Sequence, residues 1–159
     1  MDIKNGSTAL FVKDIEASKH FYRDVLGLAI ELDFGKNVIF KSGFAIWEIR
    51  DNHIIPANLG LDKICDSSVN RFELYFETEN LPGVFSILKG KNVRFLHEIH
   101  EESWGQQTIR FFDPDNHLIE IGESMIQFVC RFYNQGLAMD EISIRTGVPV
   151  EEVRRLING

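Results

Sequence analysis

The order of β-prone and helical runs repeats along the chain, and this repeat constrains the fold more than any other feature. Each copy consists of one strand, one helix and three further strands. The copies cover about residues 7–50 and about residues 70–122. We therefore predict an α+β fold of two tandem βαβββ modules in residues 1–123, followed by a helical hairpin in the tail, residues 124–159.

The first copy opens with a β-prone run, Ser7 to Lys13, which leads into an amphipathic helix. Asp14 is a typical N-cap and Gly27 a typical C-terminal stop. The apolar stripe between them consists of Ile15, Phe21, Tyr22 and Val25. Three strands are then predicted, at about 28–33, 37–41 and 43–49.

The second copy begins with a predicted strand from Arg71 to Thr78 and a helix from Asn80 to Lys91. Pro82 falls in the first turn of this helix, where proline is tolerated. Three more strands are predicted at about 93–98, 107–112 and 118–122. The connection between the copies, residues 51–69, has no persuasive periodicity.

Composition limits the class of partner. The chain carries a net charge of -7, and no apolar run approaches the roughly 20 residues of a membrane helix. We expect a cytoplasmic protein with no membrane contact and a small-molecule ligand, because the average surface field repels nucleic-acid phosphates. The two cysteines, Cys65 and Cys130, are far apart and suggest neither a disulfide framework nor a thiolate metal site.

The tail has two interpretations. Its string QGLAMDEISIRTGVPVEEVRRLI resembles a helix-turn-helix, but the same spacing describes any helical hairpin. In a helix-turn-helix, the second helix would begin Val150-Glu151-Glu152. Its carboxylates would then face the DNA phosphates and repel them, which argues against nucleic-acid binding. We instead predict an apolar face that docks on the domain or on a second subunit of a homodimer. Its residues are Phe128, Val129, Phe132, Ile142, Val153 and Leu156.

Three runs carry a family resemblance: VKDIEASKHFYRDVLGL, FELYFETENL and FFDPDNHLIEIGE. They resemble strand regions of the vicinal oxygen chelate superfamily, which includes glyoxalase, bleomycin-resistance and dioxygenase-like proteins. The resemblance covers about residues 7–123. It implies two curved, mixed, four-stranded sheets around a cavity, often with a divalent metal bound from the first, fourth, fifth and eighth strands.

Matching these motifs places the four metal positions at Ser7, Glu48, Glu73 and Glu120. The three glutamates are able ligands for Mg²⁺, Mn²⁺ or Zn²⁺, whereas the neutral hydroxyl of Ser7 is a poor one. A bound metal and no metal at all are therefore both compatible with the sequence. Without a metal, a neighbouring arginine or a proton must neutralise the carboxylates, and one glutamate should have a raised pKa.

Strand alternation supports part of this mapping without the family. Glu48 shares one face of its strand with Phe44 and Ile46, so a carboxylate interrupts an apolar face. Glu120 shares a face with Leu118 in the same way. Carboxylates are rarely buried without a partner, so a cation, an arginine or a proton should neutralise the charge of these two.

The remaining candidates are ligand contacts. The segment 97–107 is similar to the loop that rims the cavity in the superfamily, and Trp104 is its aromatic candidate, as a ligand contact or a packing plug. The other predicted substrate-binding residues are Tyr75, Phe11, Phe44 and Ser7. The three aromatics share the predicted ligand-facing parity and could shape an apolar pocket or belong to the core.

Three functions follow from these residues. The first is a metal-dependent lyase or isomerase acting on a small oxygen-rich metabolite, with Glu120 and Glu48 as catalytic groups or ligands. The second is a non-catalytic binding protein of the bleomycin-resistance type for an antibiotic or a metabolite, which the poor ligand Ser7 favours. The third is a ligand-responsive regulator that contacts DNA through the tail.

Overall fold

The computed structural model describes residues 8–49, 53–60, 62 and 72–159. They form two compact units. The first consists of the described residues up to 62 together with Asp113–His117, and the second of Phe72–Phe112 and Leu118–Gly159. Each unit contains one mixed, four-stranded sheet, which confirms the α+β class predicted from the repeat.

The first unit follows the predicted βαβββ order, with strands in the spatial order β1-β4-β3-β2. Its elements are β1 (Thr8–Val12), α1 (Ile15–Lys19) continuing into a π-helical segment (His20–Val25), β2 (Ile30–Asp33), β3 (Asn37–Phe40), β4 (Phe44–Glu48) and α2 (Ile54–Leu59). Helix α2 lies in the connection for which the sequence predicts no element. It has only six residues, too few for a helical period to show.

One face of the first sheet is buried against helix α1 and the π-helical segment. Asp14 caps the helix as predicted, because its carboxylate accepts from the amides of Glu16 and Ala17. Tyr22 is fully buried, and its hydroxyl donates to Asp113 Oδ2 at 2.8 Å. The buried apolar residues of this layer include Leu10, Val12, Ile15, Val38, Phe40, Phe44 and Ile46.

The second unit repeats the order, with strands arranged β5-β8-β7-β6. Its elements are β5 (Glu73–Thr78), α3 (Leu81–Gly90), β6 (Arg94–Glu101), β7 (Gln107–Phe112) and β8 (Leu118–Glu123). Asn80 caps α3 by accepting from the amide of Gly83. The apolar residues buried in helix and sheet are Leu81, Leu88, Ile109, Phe111, Ile119 and Ile121.

The register of the second sheet determines which polar side chains meet. Glu120 on β8 pairs with Tyr75 on one side and with Arg110 on the other. Because paired residues share a face, all three lie on the face opposite the apolar core. Strand β6 is longer than predicted and includes His97 and His100, and it lies at the sheet edge.

Three helices form the tail: α4 (Met125–Asn134), α5 (Met139–Thr146) and α6 (Val150–Asn158). Gly147, in the left-handed region at φ 74°, makes the turn between α5 and α6. The predicted apolar face packs largely within the tail, since Phe128, Val129, Phe132, Ile142, Val148 and Val153 form one buried cluster with Leu156 against it. Phe132 also lies against Gly105 of the domain. Across the described ranges, no helix combines the length and apolar character needed to cross a membrane.

Candidate ligand-binding site

Arg110 is the centre of a charged cluster on the polar face of the second sheet. Its Nε donates to Glu73 Oε2 at 3.0 Å and its Nη1 to Glu102 Oε1 at 2.6 Å. Its Nη2 forms an ion pair with Glu120 Oε2. Burial works against the charge, but the hydrogen bonds to Glu102 and Glu73 raise the pKa of Arg110, so the guanidinium stays protonated.

Glu120 is the most buried carboxylate of this cluster, with 4% of its surface exposed. Burial raises its pKa to about 6, and the charge of Glu73 acts in the same direction, while Arg110 opposes both. Three carboxylates share a single guanidinium, so Arg110 cannot neutralise all of them. Arg110 is the neighbouring arginine that the sequence requires to offset these carboxylates if no metal binds.

Acidification is expected to stabilise the protein through Glu120. Folded Glu120 holds its proton more tightly than an unfolded chain, in which a glutamate has a pKa of 4.5. The contribution of Glu120 to the free energy of unfolding should therefore rise as the pH falls from 7 through 6, by about 1 to 2 kcal/mol once the pH is below the unfolded value. Urea unfolding of wild type and Glu120→Gln at several pH values measures this contribution as the difference between the two proteins. A difference that is constant from pH 7 to pH 4 would contradict it.

A buried amide holds the two aromatic residues of the site. Gln106 is 7% exposed, and its Nε2 donates to Tyr75 OH at 2.8 Å and to the carbonyl of Glu123 at 2.7 Å. Its Oε1 accepts from the indole nitrogen of Trp104 at 3.2 Å. Residues Tyr75 and Trp104 remain 46% and 42% exposed. Both aromatics predicted for this unit thus offer accessible surface while their polar atoms are fixed.

Gly122 on β8 makes room for this amide. A Cβ atom at Gly122 would lie 2.7 Å from Gln106 Nε2 and 3.3 Å from Tyr75 Cε2. Tyr75 in turn donates its hydroxyl proton to Glu77 Oε1 at 3.0 Å. Burial raises the pKa of Tyr75 to about 12, so the phenol stays neutral. The hydrogen bond from Gln106 acts against this rise, and the hydrogen bond to Glu77 adds to it.

His97 borders the charged cluster. Its Nδ1 lies 2.7 Å from the carbonyl of Glu98, which can only accept, so Nδ1 carries the proton. Its Nε2 lies 3.3 Å from Arg110 Nη1 and accepts from the guanidinium. The ring of His100 lies 5.7 Å away, centroid to centroid. His97 therefore contacts the cluster through Arg110.

In the first unit, Glu48 has structural partners. Its Oε2 accepts from the amide of Ile15 at 3.0 Å, at the start of α1, and its Oε1 pairs with Lys36 Nζ at 2.5 Å. A carboxylate at a helix N-terminus is favourable because it satisfies a free amide and opposes the helix dipole. The predicted alternation is confirmed, since Val12 and Glu48 are neighbours in register on the face buried against the helix.

The predicted parity of Phe44 is wrong. Phe44 pairs with Thr8 and Phe11 with Trp47, so the two phenylalanines lie on opposite faces of the sheet. Phe44 is 4% exposed and packs its ring against Tyr22 and Phe40 in the core. Phe11 lies on the other face, with its ring 6.2 Å from that of Trp47. Phe44 therefore has a packing role, and Phe11 remains a predicted ligand contact.

The second unit brings Glu73, Tyr75 and Glu120 together, with Trp104 held beside them through Gln106, and their predicted binding roles stay predictions. Ser7 lies outside the described residues. Sequence reasoning missed Arg110, Glu102 and Gln106. Arg110 could have been found, because it alternates with Ile109 and Phe111, whose apolar side chains mark the buried face, and so must lie on the other face of the strand.

A family model described as a glyoxalase-like domain matches residues 6–126. The chain belongs to the glyoxalase-like domain family. This confirms the predicted vicinal oxygen chelate superfamily. The tail from residue 127 onward lies outside the matched region of the glyoxalase-like domain.

Two solved structures and one curated protein are similar to this glyoxalase-like chain over most of its length. An Agrobacterium tumefaciens protein of unknown function is 37% identical, with a TM-score of 0.64 and coverage of 79% of this chain and 97% of its own. The uncharacterized protein YraH of Bacillus subtilis is 28% identical, over 70% of this chain and 91% of its own length. A lactoylglutathione lyase of A. tumefaciens, 24% identical with a TM-score of 0.56, covers 76% of this chain and 93% of its own and shows the fold alone.

The glyoxalase-like family implies a divalent metal, and the contacts of the predicted ligands do not fit one. Arg110 already provides the positive charge between Glu73 and Glu120, while Lys36 and the amide of Ile15 use the oxygens of Glu48. In the part of the chain that the structure describes, no three His, Cys, Asp or Glu side chains are grouped so as to hold a metal ion. Metal ligation by the three glutamates stays a prediction without structural support.

Proposed function

We propose that this protein is a metal-independent binding protein for a small molecule, and that the ligand lies on the polar face of the second sheet. One observation carries the proposal: the Arg110 guanidinium lies among the carboxylates of Glu73, Glu102 and Glu120, in the role that a metal ion would otherwise have. Exposed aromatic rings beside a charged, partly buried cluster are typical of sites for small ligands.

The charge balance favours a ligand with a positive group. With all groups ionised, three carboxylates against one guanidinium leave two negative charges uncompensated. The accessible rings of Tyr75 and Trp104 add surface that attracts cations and stacks on planar groups. An antibiotic or metabolite with a basic group and a planar part satisfies both features.

Thermal-shift measurements in EDTA test this function. We expect cationic aromatic compounds to raise the melting temperature of the wild type, with about 2.7 kcal/mol of stabilisation when the ligand is at 100 times its Kd. Tyr75→Ala should abolish the shift. Tyr133→Ala is the matched control, because Tyr133 on α4 is equally exposed, at 46%, and lies outside the cluster. A shift that requires a divalent metal, or about one metal ion retained per purified chain, would contradict the proposal.

Proton transfer by Glu120 is a second candidate function, a lyase or isomerase activity without a metal. It rests on the raised pKa of Glu120, about 6, which lets this carboxyl both donate and accept a proton near neutral pH. Any ligand found by thermal shift can be incubated with the protein and followed by NMR. Turnover by wild type but not by Glu120→Gln, with binding retained in the variant, would establish catalysis; unchanged ligand with both proteins would leave binding alone.

A further inference from the structure

The β6–β7 loop, residues 102–106, joins the proposed site to the tail. The loop is closed by hydrogen bonds from the Glu102 amide to the Gln106 carbonyl and from the Gly105 amide to the Glu102 carbonyl, at 2.9 and 2.8 Å. It presents Trp104, and through Gln106 it also holds Tyr75. Anything that positions this loop positions both exposed aromatics of the site.

Arg131 on helix α4 binds the loop and the end of β8 at once. Its Nε and Nη2 donate to the two oxygens of Glu123, each at 2.9 Å, and Nη2 also donates to the Gly105 carbonyl at 2.6 Å. Glu123 Oε2 accepts from the amide of Gln107 as well, at 2.8 Å. A bidentate arginine–carboxylate pair, mostly shielded from water, gives both strength and a defined geometry.

Phe132, the next residue of α4, packs against the same loop. It is 1% exposed, and a Cβ atom at Gly105 would lie 2.5 Å from its ring. The guanidinium groups of Arg131 and Arg145 lie 4.7 and 4.4 Å from the centre of this ring. Arg145 also pairs with Glu101, the last residue of β6, at 2.7 Å. The loop thus meets a surface formed by α4 and α5.

We propose that the tail is a positioning element for the binding site, and that Arg131 and Phe132 hold the β6–β7 loop so that Trp104 and Tyr75 face the ligand. The inference rests on the proposed function for its purpose, but the positioning itself is a property of the ligand-free protein. The tail is then part of the binding machinery, although it lies outside the matched family region. It acts through Gln106 and makes no ligand contact of its own.

Acrylamide quenching of Trp104 fluorescence tests the inference. The chain has two tryptophans, so Trp47→Phe leaves Trp104 as the only reporter. In that background we expect Arg131→Gln to raise the quenching constant by up to about twofold, because a side chain now 42% exposed becomes free in solution. Arg154→Gln is the matched control, since Arg154 on α6 is half-exposed and pairs with Glu151 one turn away. Equal quenching in the two variants would overturn the proposal.

Circular dichroism tests whether each variant is folded. If Arg131→Gln is not, Arg145→Gln decides, because Arg145 is half-exposed and touches the loop through Phe132 and Glu101. We expect a smaller rise in the same direction, and no rise would overturn the proposal. Quenching needs no ligand, so a failed ligand search would refute the proposed function and leave this result intact. With a ligand in hand, Arg131→Gln should raise its Kd, and an unchanged Kd would overturn the role in binding.

Discussion

Replacing Gly105 with alanine is expected to lower the free energy of unfolding by about 2 to 4 kcal/mol. Gly105 has φ 93°, a backbone conformation that L-residues rarely adopt, and an added methyl group would lie 2.5 Å from the Phe132 ring. The variant must therefore accept backbone strain and also separate the loop from the tail. Urea unfolding followed by circular dichroism measures the loss.

Gly136 provides a matched control for this prediction. It has the same φ of 93°, but a Cβ atom there would have no neighbour within 4 Å. Gly136→Ala should therefore show only the backbone cost, about 1 kcal/mol. The difference between the two variants isolates the contact with Phe132. Equal losses would mean that the loop and Phe132 move apart without measurable cost, which would contradict the prediction.

Replacing Arg110 with methionine is expected to destabilise the protein at pH 7 by about 3 kcal/mol. Methionine keeps much of the aliphatic stem but leaves Glu73, Glu102 and Glu120 without their shared counter-charge. The pKa of Glu120 should rise further, so a large part of the loss should disappear at pH 5, where this carboxyl takes up a proton. Chemical unfolding at both pH values gives the comparison.

Two further variants separate charge from packing at this position. Arg154→Met removes an exposed arginine of α6 and should change the stability by less than about 0.5 kcal/mol. The double variant Arg110→Met with Glu120→Gln should be more stable at pH 7 than Arg110→Met alone, because the most buried carboxylate has become neutral. If the loss were the same at pH 5 and pH 7, lost packing rather than unpaired charge would be the cause.

The repeat predicted the architecture because strand and helix signals are local. Asp14 and Asn80 mark helix starts through contacts with residues only two or three positions away. Helix α2 was not predicted because its six residues are too few to show a helical period. Fold class and most element boundaries therefore needed no long-range information.

The site was harder to predict because it depends on which face of a sheet the helix covers. Alternation correctly grouped Glu48 with Phe44 and Ile46, but both faces of β4 carry apolar side chains, so alternation could not say that this group lies under α1. The pairing of Arg110 with Glu120 depends on strand register. The contact between Phe132 and Gly105 joins residues far apart in sequence, and no local pattern encodes it.

The hydrogen bond between Tyr22 and Asp113 determines where the chain can be divided into fragments. Segment Asp113–His117 belongs by its contacts to the first unit although it connects two strands of the second. A fragment ending before residue 113 would leave the buried Tyr22 hydroxyl without this acceptor, at a cost of about 1 to 3 kcal/mol. The first unit is therefore incomplete without the Asp113–His117 segment, and truncation experiments should keep the chain whole through His117.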